Sequence, residues 1–377
     1  MNAAPETVAP QTAPPANAAP INAAPERRTY WTLDGLRGVG AVLVVMRHVP
    51  ALFGPIRVPE SFLAVDLFYL VSGFVVANAY GARLTRGGFF VEFVKTRLIR
   101  LYPLYLFGLA VGLIPAIYAV VTDPAGWWTA PKLLEAIVLG LFMVPMFPGI
   151  AASGTALDGP VWTLVPELIA NTVYAWLVRW LTLPVLIAIL VVCGAGIVTA
   201  ELLYGTLDVG YNPTDQWAAL ARVGYSFFAG VVAFRFFGHK RVENLWASWL
   251  CIAALGVGLA FQPSDDMTPW FEIGVILIGF PALLIIAGRY EPGPRTGKFF
   301  SVIGLISYGV YLLHQPIGNI VLHVLRLKPL AGWPDLIYGA VFIVAVMGLA
   351  WWLDGAYDAP VRKALRARFM PDKPKPA

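Results

Sequence analysis

Long apolar runs return along nearly the whole of this 377-residue chain, at about 34–53, 62–80, 98–121, 161–181, 183–203, 216–237, 244–262, 270–288, 299–324 and 335–354. A bilayer core takes ~20 apolar residues to cross as a helix. Backbone groups in lipid must be satisfied within their own segment or by a closed ring of strands, and runs this long without alternation point to the first solution. The fold expected is all-α, a polytopic membrane bundle of about ten transmembrane helices. An eleventh run, LLEAIVLGLFMVPMF at 133–147, is fifteen residues long. That is short for a span, so it reads as a re-entrant or interfacial helix.

Composition agrees. Hydrophobic residues make up 58% and charged residues 13%, with a mean hydropathy of +0.70, against about 25% charged in a soluble domain. The net charge of +5 would suggest nucleic acid as a partner if the cations were spread over a surface. They fall instead in short loops between apolar runs, at 81–97, 238–243 and 289–298, and in the tail after 360. That is the positive-inside pattern, and it excludes a nucleic-acid role in favour of membrane lipids. If 133–147 does not cross, all these loops and both termini face the cytoplasm. Cys193 and Cys251 lie within apolar runs and suggest neither a disulfide nor a metal site.

Residues 1–28 are rich in Ala and Pro and repeat NAAP three times, which reads as a disordered cytoplasmic tail. They lack the basic and short apolar regions of a secretion signal. Residues 29–363 form the membrane domain and 364–377 a basic cytoplasmic tail.

The first apolar run is oddly polar. LDGLRGVGAVLVVMRH, residues 33–48, carries Asp34, Arg37, Arg47 and His48. On a helix Arg37 and His48 are ~16 Å apart along the axis with only ~20° of drift, so they share a face. Asp66 and Glu167 sit within later runs, and intramembrane carboxylates usually face a cavity or a partner. The expected topology sets His48, Asp66 and Glu167 at one depth near the outer face. Arg37, Arg97 and Arg100 lie at the opposite, cytoplasmic ends.

The segments LDGLRGVGAVLVVMRH, VDLFYLVSGF (65–74), RLIRLYP (97–103), PVWTLVPE (160–167) and SYGVYLLHQP (307–316) together resemble, in order, the motifs of the membrane acyltransferase-3 family. Arg37 and His48 match its Arg-x10-His element, and Arg97 and Arg100 its Arg-x-x-Arg pair. The chain departs from the family pattern at Leu168, where a second acidic residue is usual, and at Asp358-Ala359-Pro360, where a Glu-x-Pro is frequent. The resemblance covers about residues 29–363. It implies a bacterial inner-membrane O-acyltransferase that uses acetyl-CoA or another acyl-CoA as donor substrate, with no permanently bound cofactor. The acceptor would be a glycan, a lipid-linked saccharide or a small molecule.

In that reading Arg37, Arg97 and Arg100 grip the CoA phosphates through charge-assisted forks, although cations at helix ends are also ordinary topology anchors. His48, with an ordinary pKa of ~6.5, serves as general base for the acceptor hydroxyl, and an acyl-His intermediate is the variant route. Asp66 or Glu167 would hold its tautomer. Asp34 suits a helix cap or a pair with Arg37. Ser72 suits packing, and His314 a structural hydrogen bond, with a place lining the site as the alternative. His239 and His323 look like loop and helix-end residues. Trp127, Trp128, Trp162, Trp217 and Trp270 read first as an interfacial belt, with sugar stacking as the alternative. A transporter or flippase would also explain a polar cavity. Against it, the motifs do not repeat between halves, and the polar residues concentrate in the first half.

Overall fold

The computed structural model of the protein describes residues 29–144, 157–212, 214–238, 241–328 and 332–370. The tail 1–28, residues 145–147 of the eleventh run, His239, Lys240 and residues 371–377 lie outside the described residues.

Thirteen α-helices lie among the described residues, in order: α1 Trp31–His48, α2 Ala64–Arg86, α3 Phe90–Thr122, α4 Ala130–Leu141, α5 Leu164–Leu177, α6 Leu183–Tyr204, α7 Gln216–Phe237, α8 Leu245–Ala260, α9 Thr268–Gly274, α10 Phe280–Arg289, α11 Pro294–Asn319, α12 Asp335–Leu353 and α13 Ala359–Phe369. A π-helical turn, Val275–Gly279, makes α9 and α10 one continuous rod. The only strands among the described residues are two-residue stretches, β1 Val242–Glu243 and β2 Tyr290–Glu291, which pair in parallel.

Seven helical segments among the described residues are long and apolar enough to cross a membrane, rather than the ten expected. The three expected spans outside this set are helical but shorter or more charged. Helix α5 has fourteen residues and α8 sixteen, ~21 and ~24 Å against a ~30 Å core. Helix α1 has eighteen residues with Asp34, Arg37 and Arg47 among them. At 12 residues, α4 is ~18 Å long, again less than a full crossing needs.

Polar α1 is placed at the centre. It packs along α11 and touches α2, α8 and α10, with Leu33, Leu36, Val44 and Val45 at 2% exposure or less. Apolar α6 lies outside, with Leu202 at 75% and Val192 at 70% exposure, as lipid-facing side chains require. Close approach of α2 and α7 depends on two glycines. A Cβ on Gly73 would lie 1.9 Å from the Phe227 carbonyl oxygen, and one on Gly230 would lie 2.0 Å from that of Leu70. Small residues let membrane helices meet backbone to backbone in this way.

The basic loops meet at one end of the bundle. Strand β1, in the loop at 238–243, pairs with β2, Tyr30 donates to the Gly238 carbonyl at 2.7 Å, and the Arg241 guanidinium lies 4.2 Å from the Tyr30 ring centre. Helix α1 begins there at Trp31, so Asp34 lies in its first turn and is not its cap. Glu291 does that work from β2, its carboxylate accepting the Thr32 N–H at 3.1 Å.

Candidate active site

Two cavities lie along α1 and adjoin at Val65 and Tyr311, which line both. The first, of about 360 Å³, is lined by Arg37, Arg97, Arg100 and Arg366, with Glu167 as its one carboxylate. The second, of about 830 Å³, is lined by His48, Arg47, Asp208, Trp162, Tyr211 and Gln315, among others. Arg37 and His48 therefore share a face, as their spacing predicts, but each opens into a different cavity.

The arginine cavity draws its cations from three helices. Arg37 comes from α1, Arg97 and Arg100 from α3, and Arg366 from α13. Helix α3 begins at Phe90, so Arg97 and Arg100 sit two to three turns inside it, deeper than an expected start near 98 implies. The C-terminal helix is tied in place by Arg362, which bonds Asp354 at 2.9 Å and Asp358 at 3.2 Å. Arg97 Nη2 donates to Glu167 Oε1 at 3.1 Å, and the Ser72 hydroxyl donates to the same oxygen at 2.6 Å. Arg37 has Asp34 at 4.0 Å, and Arg100 makes no ion pair among the described residues. Positive charge is left in excess around the cavity, which suits a polyanion.

His48 is the last residue of α1, where an inner position five residues before the helix end was expected. Pro50 explains this, because the residue before a proline is pushed out of helical geometry. The imidazole is exposed to the second cavity. Its Nδ1 lies 2.9 Å from the Val44 carbonyl oxygen. A carbonyl only accepts, so Nδ1 carries the hydrogen and Nε2 keeps its lone pair. The backbone of α1 thus sets the tautomer that a general base needs.

Neither expected carboxylate bonds to His48. Asp66 is fully buried against Arg222, which is 1% exposed, with Nη2 to Oδ2 at 2.5 Å and Nε 3.2 Å from both oxygens. Arg222 Nη1 also donates to the carbonyls of Leu207 and Val209, at 2.7 and 2.8 Å. Glu167 belongs to the arginine cavity, not to the depth of His48. In each case a carboxylate held from water pairs with the nearest guanidinium.

The partition between the cavities is built on Tyr311. Thr163 donates its hydroxyl to the Pro160 carbonyl at 3.0 Å, so the Tyr311 hydroxyl, 3.1 Å away, donates to Thr163. The Tyr311 ring stands edge-on to Phe68 with centres 5.7 Å apart. Of the tryptophans, Trp162 lines the histidine cavity. Trp127 and Trp270 are exposed at 39% and 73%, as belt residues are.

Four residues of this region fall outside the site expected from the sequence, which gives His314 a structural hydrogen bond first. Arg222 was legible in principle as a cation inside an apolar run. Arg47, which bonds Asp208 at 2.5 Å and the Pro59 carbonyl at 2.6 Å, resembled a helix-end anchor. Tyr311 carries no local signal. His314 emerges only in three dimensions, its ring centre 5.0 Å from that of His48.

The family model described as an acyltransferase domain matches residues 30–355. Protein 2 in the picA locus of Rhizobium radiobacter is 41% identical over 164 residues, covering 39% of this chain and 80% of its own length. The O-acetyltransferase OatA of Staphylococcus aureus is 25% identical over 313 residues, 76% of this chain. The match takes in only 50% of OatA, so the chain corresponds to half of that protein. BcsY of Komagataeibacter xylinus is 26% identical over 344 residues, covering 84% of this chain and 79% of its own length. No solved structure matches. With the family match running from the start of α1 into the turn after α12, across both cavities, the chain belongs to the acyltransferase-3 family of membrane acyltransferases.

Proposed function

We propose that this protein transfers an acyl group, acetyl in the first instance, from cytoplasmic acyl-CoA to a hydroxyl of an extracytoplasmic or membrane-associated glycan or small molecule. One observation supports this reading above the others: an arginine-lined cavity and a histidine-lined cavity adjoin along one helix. Likeness to the O-acetyltransferase OatA supports acetyl as the group, and the clustering of basic loops at the arginine end supports a cytoplasmic donor side and cytoplasmic termini. The host membrane would be the bacterial inner membrane.

The arginines take the CoA phosphates as charge-assisted forks. The pantetheine arm then runs past Val65 and Tyr311 and brings the thioester to His48. Nε2 removes the acceptor's hydroxyl proton as its oxygen attacks the thioester carbonyl, the C–S bond breaks, and the CoA thiolate leaves and takes that proton back from the imidazolium. Glu167 holds Arg97 in place, and the Asp66–Arg222 pair fixes α2 to α7 beside the cavities.

The test is purified protein in lipid with acetyl-CoA and a panel of carbohydrate acceptors. CoA release that requires both an acceptor and His48 is the expected result. A folded His48→Ala variant with undiminished transfer would overturn it, and substrate movement without CoA turnover would indicate transport.

A further inference from the structure

Among the described residues no carboxylate bonds to His48, so none directly holds the imidazolium formed when it takes a proton. Asp66 is committed to Arg222, Glu167 to Arg97, and Asp208, which shares the cavity, to Arg47. What lies against His48 is a second histidine. His314, on α11, is 0% exposed, and its ring stands at 64° to that of His48 with centres 5.0 Å apart.

The state of His314 follows from its bonds. Its Nδ1 lies 3.1 Å from the Val310 carbonyl oxygen, four residues earlier on the same helix. Nδ1 therefore carries the hydrogen, and Nε2 holds a lone pair that finds no donor among the described residues. A buried acceptor left unpaired is costly, and such groups call for an explanation. Here the ring that carries the lone pair is itself shut off from solvent and packs against the ring where positive charge develops, and electrostatic stabilisation is strong from groups held out of water.

We propose that His314 is the positioning residue of the reaction: a neutral imidazole whose unpaired Nε2 stabilises the His48 imidazolium, in the place a carboxylate takes in other base-assisted transfers. The inference rests on His48 being the base. His314 does not touch substrate and its own proton inventory does not change. The proton passes from acceptor hydroxyl to His48 Nε2 and on to the departing thiolate.

Three substitutions separate this role from packing. Phe keeps a ring and removes both nitrogens, Asn restores only a donor near the δ position for Val310, and Gln restores an acceptor near the ε position. After thermal unfolding shows each variant folded in lipid or detergent, steady-state transfer is measured with acetyl-CoA and an accepted hydroxyl substrate. The expected result is a kcat at least ~10-fold lower for His314→Phe and His314→Asn, with both KM values within about twofold, and clear recovery in His314→Gln. The proposal is overturned if His314→Asn recovers as well as His314→Gln, which would make the Val310 bond sufficient. It is also overturned if His314→Phe turns over like the parent, or, should the Phe variant not fold, if Asn and Gln variants both do. His48→Ala is assayed alongside, because activity there defeats the general-base reading itself, whatever the His314 series shows.

Discussion

Arg37 and His48 stand on one face of one helix and open into two different cavities, divided by Tyr311 and Val65. The step of eleven positions from one to the other spans ~16 Å. A small substrate cannot touch both, whereas an extended one with anionic groups at one end and a reactive group at the other can. The division also separates what each residue should control. Changes near Arg37 should alter donor affinity, and changes near His48 should alter turnover.

Arg37→Ala and Arg100→Ala test the first half of that division. Loss of a charge-assisted hydrogen bond is worth about 1.5–3 kcal/mol, so the KM for acetyl-CoA should rise ~10–100-fold while kcat changes little. Substitution by Lys should restore only part of the loss, because a point charge does not reproduce the bidentate fork. An acetyl-CoA titration checks this, and an unchanged KM would return these arginines to the role of topology anchors.

Asp66→Asn should damage stability before chemistry. Asp66 and Arg222 are 0% and 1% exposed, and removing one partner leaves a buried charge uncompensated, at about 3–5 kcal/mol. A large fall in thermal unfolding temperature is expected for Asp66→Asn and for Arg222→Gln singly. Joining Asp66→Asn to Arg222→Leu should recover much of it, since neither side chain then carries a charge to be desolvated. Additive losses in the double variant would show that Arg222 is held chiefly by the Leu207 and Val209 carbonyls.

Much of this was legible from the sequence where the signal was periodic or local. The apolar runs announce a helical membrane bundle, and the eleven-residue interval announces the shared face of Arg37 and His48. Arg97 and Arg100 announce themselves as cations three residues apart, in helical phase. What could not be read was where helices begin and end inside the runs. Pro50 ends α1 at His48 itself, and a 3-10 turn, Gly159–Thr163, starts α5 so that Glu167 falls in its first turn. Depth counted along the sequence therefore placed Glu167 beside His48, when its carboxylate bonds Arg97. The meeting of His48 with His314 joins residues 266 positions apart through the packing of α1 on α11. No local pattern encodes that.

Tyr311→Ala should uncouple transfer from its acceptor. The side chain is 7% exposed and forms the wall between the cavities with Val65. Its removal joins them and gives water a path to the thioester, so acceptor-independent CoA release should rise several-fold, by about tenfold at most, as transfer falls. Tyr311→Phe loses only the bond to Thr163, worth about 1 kcal/mol, and should stay coupled. Thiol release measured with and without acceptor distinguishes the two, and identical coupling in Tyr311→Ala and the parent would show that the wall stands without this ring.

Glu291 makes stability depend on pH. The residue lies between membrane-spanning segments at the basic end of the bundle and is 6% exposed. Its Oε2 caps α1 by accepting the Thr32 N–H. Burial pushes its pKa up from 4.5 to about 7, against the opposing pull of the Thr32 N–H and Arg241. A folded-state pKa above the unfolded value means that the folded protein binds the proton more tightly between those two limits. The stabilisation is fully present below pH 4.5 and is lost as pH rises through about 7. The shift corresponds to at most about 3 kcal/mol. The unfolding temperature of the parent should therefore fall between about pH 5 and pH 8, while Glu291→Gln, which cannot ionise but still accepts from Thr32, should fall less. Parallel curves for the two proteins would place the pH dependence in another group.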